Sequence, residues 1–400
     1  MPHPARPMLR LPLAIALILG AATVLPSTAF AQAPASTATQ NAKAARLNTM
    51  YEQYWEELLK LNPLQATFQG DNRYNDQLPN TLSAQYRQQT HDFNTRWLKQ
   101  VKDVGSAGLT GQDLLSYEMF VRDREDSLEA EKFPTWQQPI NQFYNFASTF
   151  VQLGSGTGAQ PFKTVKDYDN WLKRAAQAPA LFDQAIANSR EGVKNGVVQP
   201  RALMVKVIPQ LDALIKDKAE DTLFWGPIKN FPADFSDADK QRLTKQYKQL
   251  IETQLMPAYR EMRTFVADEY LPKTRATSGL DALPDGAAWY AFNARNSTTT
   301  DLTPAQIHQI GLDEVKRIHG QIEGVMKQVG FKGSMQDFFK FMQTDPRFTF
   351  ADEPALLAYY RGLEDKINQK IPEQFSLIPK AAFEIRPVEP FRAQSAAGGS

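Results

Sequence analysis

Apolar residues recur at three- and four-residue steps through most of this chain. Leu47, Met50, Tyr51, Tyr54, Trp55, Leu58 and Leu59 form one stripe, the spacing that gathers side chains on one face of an α-helix. Pro63 ends it, because proline has no amide hydrogen and its ring collides with the preceding turn. A second stripe runs through Tyr86, Phe93, Trp97, Val101 and Val104, with Gly105 placed as its C-terminal cap. A third helix is predicted over 114–128, turning from apolar to charged in YEMFVRDREDSLEAEK.

Residues 133–162 break the rhythm. FPTWQQPINQFYNFASTFVQLGSGTGAQPF carries prolines, many aromatics and a Gly-Ser-Gly stretch without a sustained period. It reads as a long structured loop packed by its aromatics, with one short helix around 143–150. Long irregular segments inside compact domains are often functional, while the plainer reading is a loop that covers the core.

The helical pattern then resumes. Thr164 is placed as an N-cap for VKDYDNWLKRAAQA, which Pro179 ends. Helices are predicted over 181–194, with Gly196 beyond, and over 201–215. FWGPIKNFPADF is a proline-rich connector, and 237–270 reads as one long helix with a kink at Pro257. Thr303-Pro304 is a cap followed by proline at the first helical position. The helix it opens has Ile307, Ile310, Val315, Ile318, Ile322, Val325 and Met326 as its apolar set and runs to Gly330. SMQDFFKFMQT and EPALLAYYRGLEDKINQK are two more helices. No alternating strand pattern of any length precedes residue 380. Beyond it AAFEIRPVEPFRAQS alternates and reads as one short extended strand or edge segment. The fold class is therefore mainly α, one large multi-helix domain over 43–400.

The N-terminus carries a different signal. Arg6 and Arg10 precede the apolar run LPLAIALILGAATVL, which Pro26 breaks, and Ala29-Phe30-Ala31 supplies small residues around a cleavage point. The run is too short for a comfortable membrane span. Residues 1–31 read as a secretory signal cut after Ala31, against the alternative of an uncleaved anchor. Residues 32–42 read as a flexible lead-in. The expectation is a periplasmic or secreted protein, with no membrane association after cleavage.

Composition narrows the chemistry. Across 400 residues, 45 basic residues balance 44 acidic ones, which favours neither nucleic acid nor an anionic surface as partner. Cysteine is absent, so disulfides, thiolate catalysis and Cys-ligated metal sites are excluded. After the signal, three histidines remain: His91, His308 and His319. His91 has no acidic partner at metal spacing in the sequence. His308 and His319 share a helix but lie roughly 16 Å apart at 1.5 Å per residue, so one metal cannot take both. His319 has Glu323 one turn on, a pairing that surface helices make routinely. There is no H-E-x-x-H, no phosphate-binding glycine loop, and no G-x-S-x-G, since Gly156 stands where LGSGTG would need the serine. Acids around Glu261, Asp268 and Glu269 are generic candidates for a carboxylate pair.

Four stretches together carry a resemblance: YWEELLKLNPLQATFQGDNRYNDQLP (54–79), QPFKTVKDYDNWLKR (160–174), GLDALPDGAAWYAFNARNSTTTDLTPAQIHQIGLDEVKRI (279–318) and IPKAAFEIRPVEPFRAQSAAGGS (378–400). They resemble, in order, domain-of-unknown-function family 885, exported bacterial proteins similar to gluzincin-type zinc metallopeptidases. The resemblance implies a chain that continues past the segment matching Ala396–Ser400 to a helix of H-E-x-x-P-G-H-H-x-Q type. There histidines would bind zinc and a glutamate would act as general base. None of those residues occurs in this sequence, so no position inherits a metal or catalytic role.

The expectation is the N-terminal scaffold and substrate-groove portion of a zinc-dependent hydrolase acting on a peptide-like substrate, truncated before its metal-binding helix. The alternative is a complete, non-catalytic helical binding protein or inactive relative. Trp289, Tyr290, Thr298 and Thr299 are candidates for the groove wall. So is the extended segment 383–400 with Ser395, Gly398 and Gly399, whose backbone suits strand addition to a bound peptide.

Overall fold

The computed structural model describes residues 35–388, and helix dominates them. α1 (Ala35–Leu61) carries the first stripe and begins inside the segment read as a lead-in. The signal segment and the second half of the segment after Lys380 lie outside the described residues. α2 (Pro63–Phe68) follows at once, with Pro63 at its start and Asn62 as its cap. α3 (Ala84–Val104) and α4 (Gly111–Ala130) complete an N-terminal layer. Ala44, Leu47, Val101 and Leu109 are its buried centre, with Tyr51, Tyr117 and Phe120 packed around them. Gly105 ends α3 with a positive φ of 72°, as the sequence predicts.

The irregular stretch is built as its composition suggests. A 3-10 turn (Thr135–Gln137) and α5 (Phe146–Gly154) sit within it, the helix three residues later than predicted. Its aromatics do pack inward: Phe150 stacks on Trp171 at 5.0 Å and Phe162 meets Tyr168 edge-on at 5.3 Å. Gly154 is needed there, because a Cβ would lie 2.2 Å from the Trp171 ring.

The main core lies beneath this loop. α6 (Val165–Ala175) opens with a complete capping box between Thr164 and Asp167. α6 stops at Ala175, short of Pro179, and α7 (Ala178–Asn195) takes Pro179 into its own first turn, since an unneeded amide hydrogen makes a first-turn proline harmless. α8 (Arg201–Leu214) and the short α9 (Gly226–Lys229) lead to α10 (Asp237–Leu250) and α11 (Met256–Thr264). Tyr168, Trp171, Phe182, Phe224, Tyr247 and Tyr259 are almost completely buried among these helices.

The predicted kink at Pro257 takes a specific form. A π-helical turn (Ile251–Leu255) ends two residues before Pro257, and a second (Phe265–Tyr270) ends two residues before Pro272. Widening the turn accommodates a ring that would strike the carbonyl four residues back.

One buried cation binds the N-terminal layer to this core. Arg174 of α6 is fully buried and donates to the carbonyls of Gln77 and Tyr74, to Thr67 Oγ1 and to Gln160 Oε1 at 2.7–3.0 Å. Burial pushes its pKa down to about 10.

α12 (Gly286–Thr298) packs on a smaller cluster of Val197, Leu283 and Trp289. α13 (Pro304–Gln328), α14 (Met335–Thr344) and α15 (Glu353–Gln374) follow. Thr303 makes the predicted cap, reinforced by Gln306. The predicted apolar set of α13 is nevertheless mostly bare. Only Met326 is buried, while Ile310, Val315, Ile318 and Val325 are exposed. On α15 Tyr359, Tyr360, Leu363 and Ile367 are exposed too. Capping and periodicity are local properties, whereas burial needs a second surface, and the described residues supply none here.

Residues 381–388 take no regular secondary structure and make no β-ladder, so the extended segment expected there has no strand partner among the described residues. The single bridge among the described residues joins Pro200 and Arg275.

Candidate functional site

The helix that carries Trp289, Tyr290 and Thr298, with Thr299 as its C-cap, does line a cavity, through other residues. The cavity holds about 640 Å³ between α12, the end of α4 and the 299–304 turn. Ala288, Phe292 and Arg295 recur at helical spacing and form its α12 wall, with Phe133 and Pro134 opposite and Leu302 at the side. Arg295 donates to Glu129 Oε2 at 2.6 Å and lies over the Phe292 ring at 5.6 Å. Hydrogen bonding from that guanidinium holds the Glu129 carboxyl below its ordinary range. Lys132, Asp285 and Asp301 stand around the apolar floor.

Trp289 lies one helical step away, buried and stacked on Phe133 at 5.8 Å with 12° between the rings. It therefore supports the wall from behind. Tyr290 is exposed on a further face, outside the cavity lining. Thr298 donates back to the Ala294 carbonyl at 2.8 Å, and its neighbour Thr300 reaches the cavity. Thr299 is exposed but has a left-handed backbone, φ 54° and ψ 25°. Asp285, at the other end of α12, has φ 53° and ψ 20°. Left-handed backbone is costly for a side chain, most of all a β-branched one, so both ends of the wall helix are held under strain. Ser395, Gly398 and Gly399 lie outside the described residues.

Glu129, Phe133 and Arg295 carry no distinguishing mark in the sequence. They meet only because α12 returns to α4. One mixed-sign helix face paired with another was the sole available signal.

The histidines separate. His308 and His319 are exposed on α13. His91 has an acidic partner that spacing along the chain does not reveal: its Nδ1 lies 2.6 Å from Glu131 Oε2. Among the described residues no three His, Asp or Glu side chains converge as a metal site. The described residues do not fit a zinc ion. Of the acids considered for a carboxylate pair, Glu269 is committed elsewhere. Arg190 grips it through two bonds of 2.8 Å and holds it ionised by hydrogen bonding.

Fold and cavity together define an all-helical protein with a groove-like depression on its α12 side. The family model described as "Bacterial protein of unknown function (DUF885)" matches residues 63–400, and the chain belongs to that family. No curated protein matches the sequence. Among solved structures, "The crystal structure of the putative lipoprotein from Colwellia psychrerythraea" superposes with a TM-score of 0.75 at 21% identity. The match covers 90% of this chain and 64% of that one, so the chain spans somewhat under two thirds of its neighbour's length. At this identity the likeness establishes the shared helical fold.

Proposed function

We propose that this chain is the helical scaffold and substrate-groove portion of an exported hydrolase of the zinc-peptidase type, with the cavity along α12 as part of the groove wall. The observation that carries the reading is the bare apolar face of α13 and α15. A Leu-, Ile- or Val-sized side chain gains about 1.5–3 kcal/mol on full burial. Five such residues exposed on α13 alone, Ile310, Leu312, Val315, Ile318 and Val325, are a surface open to a partner. The occupant proposed is further helical chain; the solved neighbour is longer than this chain, which covers 64% of it.

The cavity supports a peptide-like occupant. Its floor is aromatic and its rim is polar, and its central charges, Arg295 and Glu129, neutralise each other. That suits holding an extended chain and leaves the chemistry to residues elsewhere. Export is supported by the basic, apolar and small-residue order of positions 1–31 and by the neighbour's description as a lipoprotein. A periplasmic or extracellular site follows from it. A second reading, a helical binding protein without catalysis, draws on the same mutually neutralised cavity.

The test compares residues 32–400 with the longer polypeptide read from the gene, for zinc content and chelator-sensitive peptide hydrolysis. The expected result is activity and zinc in the longer polypeptide alone. Chelator-sensitive hydrolysis by residues 32–400, or a gene with no further helical coding sequence, overturns the reading. A zinc-free monomer that melts cooperatively and binds peptide favours the binding protein.

A further inference from the structure

A second cavity, of about 720 Å³, lies between α3 and the turn that follows α4, and nothing in the family description assigns it. Its lining includes Leu82, Arg87, His91, Glu131, Phe133 and Trp136. Arg87 and His91 are one helical turn apart on α3, the spacing that brings two side chains to one side.

Arg87 is unusual among the arginines here. Its guanidinium carbon lies 4.1 Å from the centre of the Trp136 ring. Its Nη1 donates to the Leu82 carbonyl at 2.9 Å. Among the described residues it makes no ion pair, and it is part-buried, so desolvation lowers its pKa. One contact fixes the side chain and the stacking orients it, which leaves Nε and Nη2 as a preoriented pair of donors with no acceptor among the described residues. Such a fork matches a planar carboxylate.

The rest of the lining limits what accompanies that carboxylate. A carboxylate oxygen only accepts, so His91 Nδ1–H donates to Glu131 and Nε2 is left without a protein partner among the described residues. Glu131 adds a negative charge to the same wall, which disfavours a dianion such as phosphate. Thr90 and Ser127 already donate to the carbonyls of Tyr86 and Asp123. Leu82, Phe133 and Pro139 supply apolar surface.

We propose that this cavity binds a monocarboxylate with an apolar body and a neighbouring N–H, the chemistry shared by N-acylated amino acids and the free C-terminal end of a peptide. Arg87 takes the carboxylate, and His91 Nε2 accepts the N–H. The site shares only Phe133 with the lining of the groove along α12, and it does not rest on the hydrolase reading.

Calorimetric titration of the purified chain with N-acetylphenylalanine, its amide and phenylpropionate tests this. The acid is expected to bind at least about ten-fold more tightly than the amide, the size of effect one charge-assisted hydrogen bond supplies. Arg87→Met brings the acid down to the level of the amide, and Arg87→Lys does not restore it. His91→Gln weakens N-acetylphenylalanine but not phenylpropionate, which has no N–H. Peptides with free or amidated C-termini separate the two sources. Binding by the free-ended peptide places a chain end in the cavity, and its failure beside a binding small acid confines the occupant to free acids. Should Arg87→Met fail to fold, the acid–amide preference of the wild-type chain and the His91→Gln pattern decide. Equal affinity for acid and amide, no saturable binding at millimolar ligand, or full binding by folded Arg87→Met overturns the proposal.

Discussion

Arg295 on α12 and Glu129 near the end of α4 stand 166 residues apart in sequence and 2.6 Å apart in space. Their pair closes the floor of the α12 cavity and ties the last helix of the packed body to the N-terminal layer. Both side chains are more than a third exposed, so the bond positions more than it stabilises. Glu129→Gln is expected to cost less than about 1 kcal/mol in urea denaturation. The sign with pH follows from the lowered carboxyl of Glu129: its contribution is present above the ordinary carboxylate value and is lost as pH falls through the lowered one. The wild-type and Glu129→Gln stability curves therefore converge in acid. A gap that widens in acid refutes this account.

Thr299 holds a left-handed backbone that a β-branched residue adopts at a cost. Thr299→Asn is expected to stabilise the protein by about 1 kcal/mol, read as a raised melting temperature. Thr298→Asn, in ordinary helix one residue earlier, is the control and should show no gain. Equal behaviour of the two variants would mean that the strain is not stored at Thr299.

Arg174 donates to five acceptors, the Pro63 carbonyl at 3.5 Å included, drawn from three separate segments while fully buried. Arg174→Met leaves those acceptors without their donor. The expected loss is about 3 kcal/mol or more, measured as a fall in the urea midpoint. Arg174→Lys recovers little, because one ammonium group cannot span the same fan of acceptors.

Gly154 faces the Trp171 ring so closely that a methyl group has no room. Gly154→Ala is expected to cost about 1–3 kcal/mol, the usual range for overpacking a core. Gly154→Ala combined with Trp171→Phe should recover part of that loss if the collision is the cause.

Alkaline stability is set by tyrosines. Burial pushes Tyr168 and Tyr51 up to about 12, and Tyr247 and Tyr259 are raised further by deeper burial. A raised acid keeps its proton longer folded than unfolded. Its stabilisation is complete below the unfolded value near 10 and is lost as pH climbs towards 12. Arg174, lowered to about 10, has the opposite sign over that range, as do Arg87 and Arg275, which burial also lowers; against these three stand seven raised tyrosines, with Tyr54, Tyr86 and Tyr270 beside the four above. Stability should therefore fall steadily above pH 10, in step with tyrosinate absorbance. Tyr168→Phe should make that fall shallower.

Much of the helical plan was legible because its signals are local. Thr164, Thr303 and Gly105 act through hydrogen bonds and backbone angles within a few residues of themselves, so their meaning does not depend on the rest of the chain. Pro179 shows the limit of that reasoning: the same residue ends one helix or begins the next, and only the start of α7 at Ala178 decides between them. Trp289 is a groove-wall candidate in the sequence, with core packing as the plainer reading of an aromatic, and residue type alone does not say which side of a helix meets solvent. The stacking on Phe133 turned it inward.

By itself, then, the sequence determined the helical class, most helix ends and the absence of thiol chemistry, since each follows from residue type and short spacing. The tertiary structure alone decided that Arg295 meets Glu129 and that His91 meets Glu131, and that among the described residues Arg87 lies over Trp136 without an acidic partner and most of the stripe on α13 is left exposed. Those outcomes depend on the path by which distant segments return to one another, and no local pattern of side chains encodes that path.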